Sequence, residues 1–173
     1  MTEAVKRIAL VSTGGTIEKT YDELEGMLRN RVAVLDVMLA QLHHEGIEIY
    51  RVALMNKDSL DMSEDDHALI AETAERLAGD HDGVVVVHGT DRLCVSGEAC
   101  IERFGRPPVP VVFTGAMRPH ALRNTDAMQN LTEALLAVQL LPGGVYVAMH
   151  GKVLEFPGVQ KDRELGTFVR VEA

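Results

Sequence analysis

Four consecutive valines at 84–87 run straight into His88, and a second apolar run, VPVVFT, fills 109–114. Continuous β-branched runs of this length suit strands of a parallel sheet covered on both faces; a strand wetted on one face would alternate apolar with polar residues. Three further apolar stretches, 7–12, 48–54 and 144–150, have strand length. Helical spacings separate them. Val34, Val37, Met38 and Leu42 keep an i, i+3, i+4 rhythm up to Gly46. Ser63 stands where it can cap EDDHALIAETAERLA, whose first-turn acids suit the helix dipole. A shorter helix over 94–104 ends at Gly105, and Met128, Leu131, Leu135 and Val138 mark a long one before Pro142. Strand–helix–strand repeated four times predicts an α/β fold. Its sheet is doubly wound and mostly parallel, with right-handed crossovers and helices on both faces. After Gly151 the alternation stops, which predicts a C-terminal hairpin and tail over about 151–173.

A chain of 173 residues, 46% hydrophobic, suffices for one domain with one sizeable core. Its net charge of −9 argues against a sequence-independent grip on nucleic acid, which depends on neutralising phosphates. No apolar run approaches the ~18 residues of a membrane span. The start, MTEAVKRIALVST, sets basic residues before an apolar run, but Gly14-Gly15 breaks that run too early for a secretory leader. It reads as a first strand, and the protein as cytoplasmic, with no membrane partner. Cys94 and Cys100 have no CxxC neighbour, so two small, partly buried thiols are expected rather than a disulfide or zinc site.

In doubly wound sheets, ligands bind beyond the carboxyl ends of the strands. Those ends read STGGT (12–16), HGTD (88–91) and TGAMRP (114–119). The first is neither G-x-G-x-x-G nor a P-loop, so nucleotide binding has little support. Gly14 and Gly15 permit a tight turn, which explains the glycines but not the flanking hydroxyls. The stretch 17–30 is polar and poorly periodic, as a flexible flap or an ordinary exposed loop would be. Thr90 and Asp91 are good helix caps, yet Thr90 is also a candidate nucleophile or proton carrier and Asp91 a candidate ligand for a cation. A threonine hydroxyl needs a neighbouring base. His43, His44, His67 and His81 read as solvated surface residues, and no histidine spacing suggests a metal site. Lys152 and Lys161 both lie past the last strand, and a lysine can act as base only where its surroundings favour the neutral amine. The residues alone do not choose between them.

TGGTI (13–17), HGTD (88–91) and TGAMRP (114–119), in that order and spacing, resemble the bacterial-type L-asparaginase family. NKDSLDM (56–62), NTDAMQN (124–130) and MHGKVLEFPGVQK (149–161) extend the likeness to six segments across 13–161. The resemblance implies hydrolysis of the asparagine side-chain amide by double displacement, with neither metal nor cofactor. It places the nucleophile on Thr16, beside Gly15, and a flap tyrosine on Tyr21. A second catalytic group falls on Thr90, Asp91 and Lys161, which selects Lys161 over Lys152. The substrate carboxylate falls to Ser59 and its ammonium to Asp91, with Ala116 and the backbone near Thr90 also lining the pocket.

The likeness covers only the first of the family's usual two domains. A second-domain residue from a neighbouring subunit, which completes the pocket in longer relatives, has no counterpart in it. Leu60 also stands where many relatives carry a polar residue. Fewer polar contacts imply weak affinity for asparagine and little glutaminase activity. Homo-oligomerisation, as dimer or tetramer, is expected to cover apolar helix faces. Two other readings compete. One is an asparagine- or aspartate-sensing module without turnover, against which the joint presence of Thr16, Tyr21, Thr90, Asp91 and Lys161 argues. The other is a related amidohydrolase, such as an amidotransferase component.

Overall fold

A computed structural model of the chain describes residues 4–30 and 34–171; the last two residues of the predicted tail lie outside them. In chain order the elements are β1 (Lys6–Gly14), β2 (Lys19–Asp22), β3 (Met27–Asn30), α1 (Val34–Ala40), β4 (Ile47–Lys57), α2 (Glu64–Asp80), β5 (Gly83–Val87), α3 (Leu93–Phe104), β6 (Pro110–Thr114), α4 (Ala127–Leu140), β7 (Gly144–Met149), β8 (Lys152–Glu155), β9 (Val159–Asp162) and β10 (Thr167–Arg170). The main sheet runs β4-β1-β5-β6-β7-β8, parallel except for the antiparallel edge strand β8. The predicted mostly parallel sheet is what forms.

Both faces of that sheet are buried, which is why its central strands can be apolar throughout. Ile8, Leu10, Val85, Val87, Val112 and Tyr146 point to a core shared with α1 and α4. Their neighbours Ala9, Val11, Val84, Val86, Val111, Phe113 and Val145 point the other way, onto α2 and α3. Full burial of one such valine contributes roughly 2 kcal/mol. Ser63 caps α2 as expected, its hydroxyl accepting from the Asp66 amide while the Asp66 carboxylate accepts from the Ser63 amide.

Two features differ from the sequence expectation. The stretch read as an aperiodic flap contains a hairpin, β2–β3, paired from Lys19↔Asn30 to Asp22↔Met27. Turn chemistry, rather than apolar alternation, closes it: Asp22 accepts from the Leu24 and Glu25 amides, and Gly26 takes a positive φ of 65°.

His67, read as a surface residue, is buried on the inner face of α2. Its Nδ1 lies 2.7 Å from Ser96 Oγ, the same oxygen lies 2.8 Å from His88 Nε2, and His88 Nδ1 lies 2.8 Å from the Gly89 carbonyl. The carbonyl can only accept, so every proton is fixed: His88 donates to Gly89, Ser96 to His88, and His67 to Ser96. The wire ties two helices to the loop that carries Thr90. Burial, with the nearby Arg92 charge, lowers the His67 pKa; burial above all pushes that of His88 down to about 4. Both rings stay neutral at pH 7. A histidine that protonates near pH 6.5 when unfolded but only near 4 when folded makes stability full above about 6.5 and declining as pH falls towards 4.

Ser96→Ala would strand a donor on His67 and an acceptor on His88. A loss of about 2–3 kcal/mol is expected at pH 7 from denaturant unfolding. A loss below ~0.5 kcal/mol would mean that the bridge is not made.

Candidate active site

The carboxyl ends of β1, β4, β5 and β6 converge, and glycines let their loops touch. A Cβ on Gly15 would lie 2.6 Å from the Gly89 Cα, one on Gly89 2.6 Å from Ser59 Oγ, and one on Gly115 2.3 Å from the His88 carbonyl oxygen. Gly15, Ser59, Gly89 and Gly115 therefore form one continuous floor, in which side chains larger than hydrogen are excluded at the three glycines. Thr13, on the strand side of the first turn, gives its hydroxyl to the Val87 carbonyl at 3.0 Å and is fully buried. Thr16 opens the short 3-10 turn Thr16–Glu18 and is half-buried. The Ile17 carbonyl accepts from the His120 amide, which joins that turn to the loop after β6, where Ala116 is buried.

Lys161 arrives from a different direction. Phe156, Val159 and Phe168 are buried in the α2/α3 core and anchor the hairpin β9–β10 beside α3. That seating puts Lys161 Nζ 2.8 Å from Thr90 Oγ1 and 2.9 Å from Asp91 Oδ1. Thr90 is buried; Asp91 and Lys161 are largely so. Lys152, the other candidate, lies on the outer strand β8 and is exposed. Ser59 is buried, accepts from the Arg92 amide at 3.3 Å, and keeps its own proton to give. Asp58, which caps the Ser59 turn through the Leu60 amide, pairs with Lys19 at 2.7 Å and so links the flap to the floor. Leu60 itself is exposed.

Tyr21 stands apart. It sits on β2 with 59% of its surface exposed, its hydroxyl beside the hairpin's own turn at Gly26. Of the eight residues named for catalysis or for contact with substrate, it is the one whose side chain is directed to its own hairpin turn and away from the floor.

Three parts of the site carry no role in the sequence reading. Asp126 gathers the Met117 and Arg118 amides at 3.0 Å each, Asn130 Nδ2 at 2.8 Å and His150 Nε2 at 2.6 Å, and so holds the TGAMRP loop in shape. Burial raises its carboxyl, and those donors outweigh burial and leave it below the ordinary carboxylate range. The segment NTDAMQN carried this signal, though not the partner His150. Arg163 reaches Asp91 Oδ1 at 3.4 Å. Glu18, two residues from Thr16, is buried beside a cavity of about 210 Å³ lined also by Ser12, Ala53, Met55 and Asn56.

Burial drives the Glu18 pKa up to about 7, against the pull of Arg51 and of a hydrogen bond from the Gly14 amide; its Oε1 has no partner among the described residues. The folded protein thus holds a proton that the unfolded chain releases near 4.5, and stability from this group is full below about 4.5 and lost as pH rises through 7. Glu18→Gln should be about 2 kcal/mol more stable than wild type at pH 8 and no more stable at pH 4.5, by thermal unfolding at both values. An equal effect at both pH values would contradict this.

The chemistry open to these groups is narrow. Burial pushes both Cys94 and Cys100 thiols up to about 12, so neither is a ready thiolate. Among the described residues no group of three or more His, Cys, Asp or Glu side chains could hold a metal ion, and no helix is long and apolar enough to cross a membrane. What converges is the Thr90 hydroxyl, a lysine and a carboxylate, with the Thr16 turn and the Ser59 hydroxyl joined to them through the glycine floor, an arrangement suited to acyl transfer.

Known proteins share this arrangement of elements. Residues 7–167 match the family described as asparaginase, N-terminal. L-asparaginase of Thermococcus kodakarensis is 32% identical over 162 residues, covering 92% of this chain and 49% of that protein. A glutamyl-tRNA(Gln) amidotransferase subunit of Haloquadratum walsbyi is 34% identical over 158 residues, covering 88% of this chain and 35% of its own. The solved structure of the thermostable Thermococcus kodakarensis L-asparaginase superposes with a TM-score of 0.86 at 29% identity, over 95% of this chain and 51% of that one. The chain thus spans about half the length of the asparaginase relative and about a third of the amidotransferase relative. Because the family match begins in β1 and ends in β10, it takes in every strand end that builds the floor, and the chain belongs to the asparaginase family through its N-terminal domain.

Proposed function

We propose that the site hydrolyses the side-chain amide of L-asparagine to L-aspartate and ammonia through a covalent acyl-enzyme on Thr16. One observation carries the reading: Lys161 Nζ donates to both Thr90 Oγ1 and Asp91 Oδ1 in a largely buried cluster beside the Thr16 turn. In the first step the Thr16 oxygen bonds to the amide carbon, while Tyr21, delivered by the flap, takes up the Thr16 proton as it passes its own phenolic proton on to the departing nitrogen. The C–N bond then breaks and the nitrogen leaves, protonated, as ammonia. In the second step water gives a proton towards the Thr90–Lys161 pair and attacks the ester carbon; the bond to Thr16 breaks and its proton returns. Backbone amides near Thr90 hold the oxyanion in both steps, a contribution often worth ~3 kcal/mol. Ser59 takes the substrate α-carboxylate and Asp91 its ammonium; Gly15 and Ala116 line the carboxamide.

Steady-state ammonia release from asparagine and glutamine tests the substrate. A strong preference for asparagine, with a high KM, is expected. Comparable efficiency on glutamine would contradict it. Tight aspartate binding with no ammonia released would favour a sensing module instead.

A second reading draws on the relatives named as amidotransferase subunits. The same amide cleavage would then supply nitrogen within a larger assembly. Ammonia release that is negligible for the isolated chain and restored by a partner protein would support that reading.

Self-association draws support from Leu136, Leu140 and Val153, exposed around one shallow apolar recess of about 370 Å³. Light scattering should give a dimer or tetramer.

A further inference from the structure

The carboxylate proposed to receive a substrate ammonium already faces two cations. Lys161 Nζ and Arg163 Nη2 both approach the same oxygen, Asp91 Oδ1, at 2.9 and 3.4 Å. Arg163 is not there by chance of a floppy chain end. It leaves β9 inside a tight turn in which the Asp162 carboxylate accepts from the Glu164 and Leu165 amides at 2.9 Å each, and Gly166 closes the turn with a positive φ of 62°. The turn is carried by the hairpin that Val159 and Phe168 pin to the core. Arg163 thus presents its guanidinium at the mouth of the site, with 71% of its side chain in water, while Asp91 is 27% exposed behind it.

Lysine must be neutral to activate water, so the Asp91 charge would then be left for the ammonium of the substrate. Arg163 changes that balance. A guanidinium is always charged, it screens the carboxylate it pairs with, and it repels a second cation brought to the same oxygen. The same guanidinium attracts any carboxylate on the ligand. We infer that Arg163 is a specificity-determining residue that removes the usual advantage of a free α-ammonium, so that the site accepts the des-amino amide succinamate about as well as asparagine. This inference rests on the amidohydrolase reading of the site. It adds a cause of weak asparagine binding that lies within the chain itself, separate from any contact another domain would supply. The reaction is unchanged in its balance: the amide carbon gains an oxygen from water, the C–N bond breaks, and ammonia leaves.

The test is calorimetric titration of the intact protein with L-aspartate and with succinate, which differ only by the amino group. Wild type should bind the two within about threefold of each other. Arg163→Gln should tighten aspartate by about fivefold, the upper end for a partly exposed ion pair, and leave succinate unchanged or weaker. Arg163→Lys, which keeps the charge, should behave as wild type. A wild type that prefers aspartate tenfold or more, one that binds neither ligand, or an Arg163→Gln protein that shifts both ligands equally or not at all, would overturn the inference. Ammonia release from asparagine and succinamate, measured alongside, keeps the two claims separate. Its absence contradicts the amidohydrolase reading, while the binding ratio still judges Arg163.

Discussion

Lys161→Met should lower ammonia release from asparagine by at least about a thousandfold while costing the fold only about 1 kcal/mol. The two effects separate because Lys161 contributes to the site through its terminal nitrogen and to packing through its stem, which methionine retains. In the folded chain that nitrogen donates to two side-chain acceptors, Thr90 Oγ1 and Asp91 Oδ1. Removing it would take from Thr90 the nitrogen proposed to receive a proton from water, and would leave Asp91 facing Arg163. The KM should change far less than kcat, because the contacts proposed for substrate at Ser59 and Gly15 do not involve Lys161, and Asp91, the proposed ammonium contact, still faces Arg163. Rates within tenfold of wild type would move the base elsewhere. Lys152→Met is the matched control: on the exposed edge strand β8, it should leave both rate and stability within experimental error.

Gly15→Ala is expected to be a severely damaging single-methyl change. Two penalties act together. At φ 91° and ψ −177° an L side chain is strained, and the new Cβ would sit 2.6 Å from both the Cα and the nitrogen of Gly89. Backbone cannot step aside as a flexible side-chain tip can, so the Thr16 turn and the HGTD loop must separate. A loss of about 3–4 kcal/mol is expected, near 10 °C in Tm for a chain of this size. Activity should fall even where the protein stays folded, because the separation moves Thr16 away from Thr90. Gly26→Ala, on the flap hairpin, shares the positive φ but meets only the Tyr21 hydroxyl at 3.9 Å, so it should cost about 1 kcal/mol.

The parts of this architecture that were legible in sequence are those fixed by local pattern. Continuous valines at 84–87 require burial on both faces, and the structure supplies it from α1 and α4 on one side and α2 and α3 on the other. Ser63 and Gly105 mark helix ends through chemistry confined to a few residues. Glycine with hydroxyl residues at three strand ends located the floor, since parallel strands in one sheet must end on the same side.

What pattern could not supply depends on residues distant in the chain. His67 sits among acids on α2 and looks like a surface residue; it is buried because Ser96, 29 positions away, offers a hydroxyl that also serves His88. The choice between Lys152 and Lys161 turns on where Phe156, Val159 and Phe168 seat a hairpin, and nothing within either lysine's own neighbourhood encodes that. The hairpin in the flap rests on Asp22 and Gly26 rather than on alternation. Arg163 carried no signal at all, because its partner Asp91 lies some seventy positions earlier.

The measurement that bears most directly on the assignment is ammonia release from L-asparagine by wild type, Thr16→Ala and Thr90→Val, each confirmed folded by its Tm. Release by wild type is expected, with a loss of more than about a thousandfold in each variant, since under the proposed mechanism one hydroxyl would form the acyl-enzyme and the other would complete the pair that activates water. Release that survives either substitution within about tenfold, or a folded wild type that releases none, would contradict it.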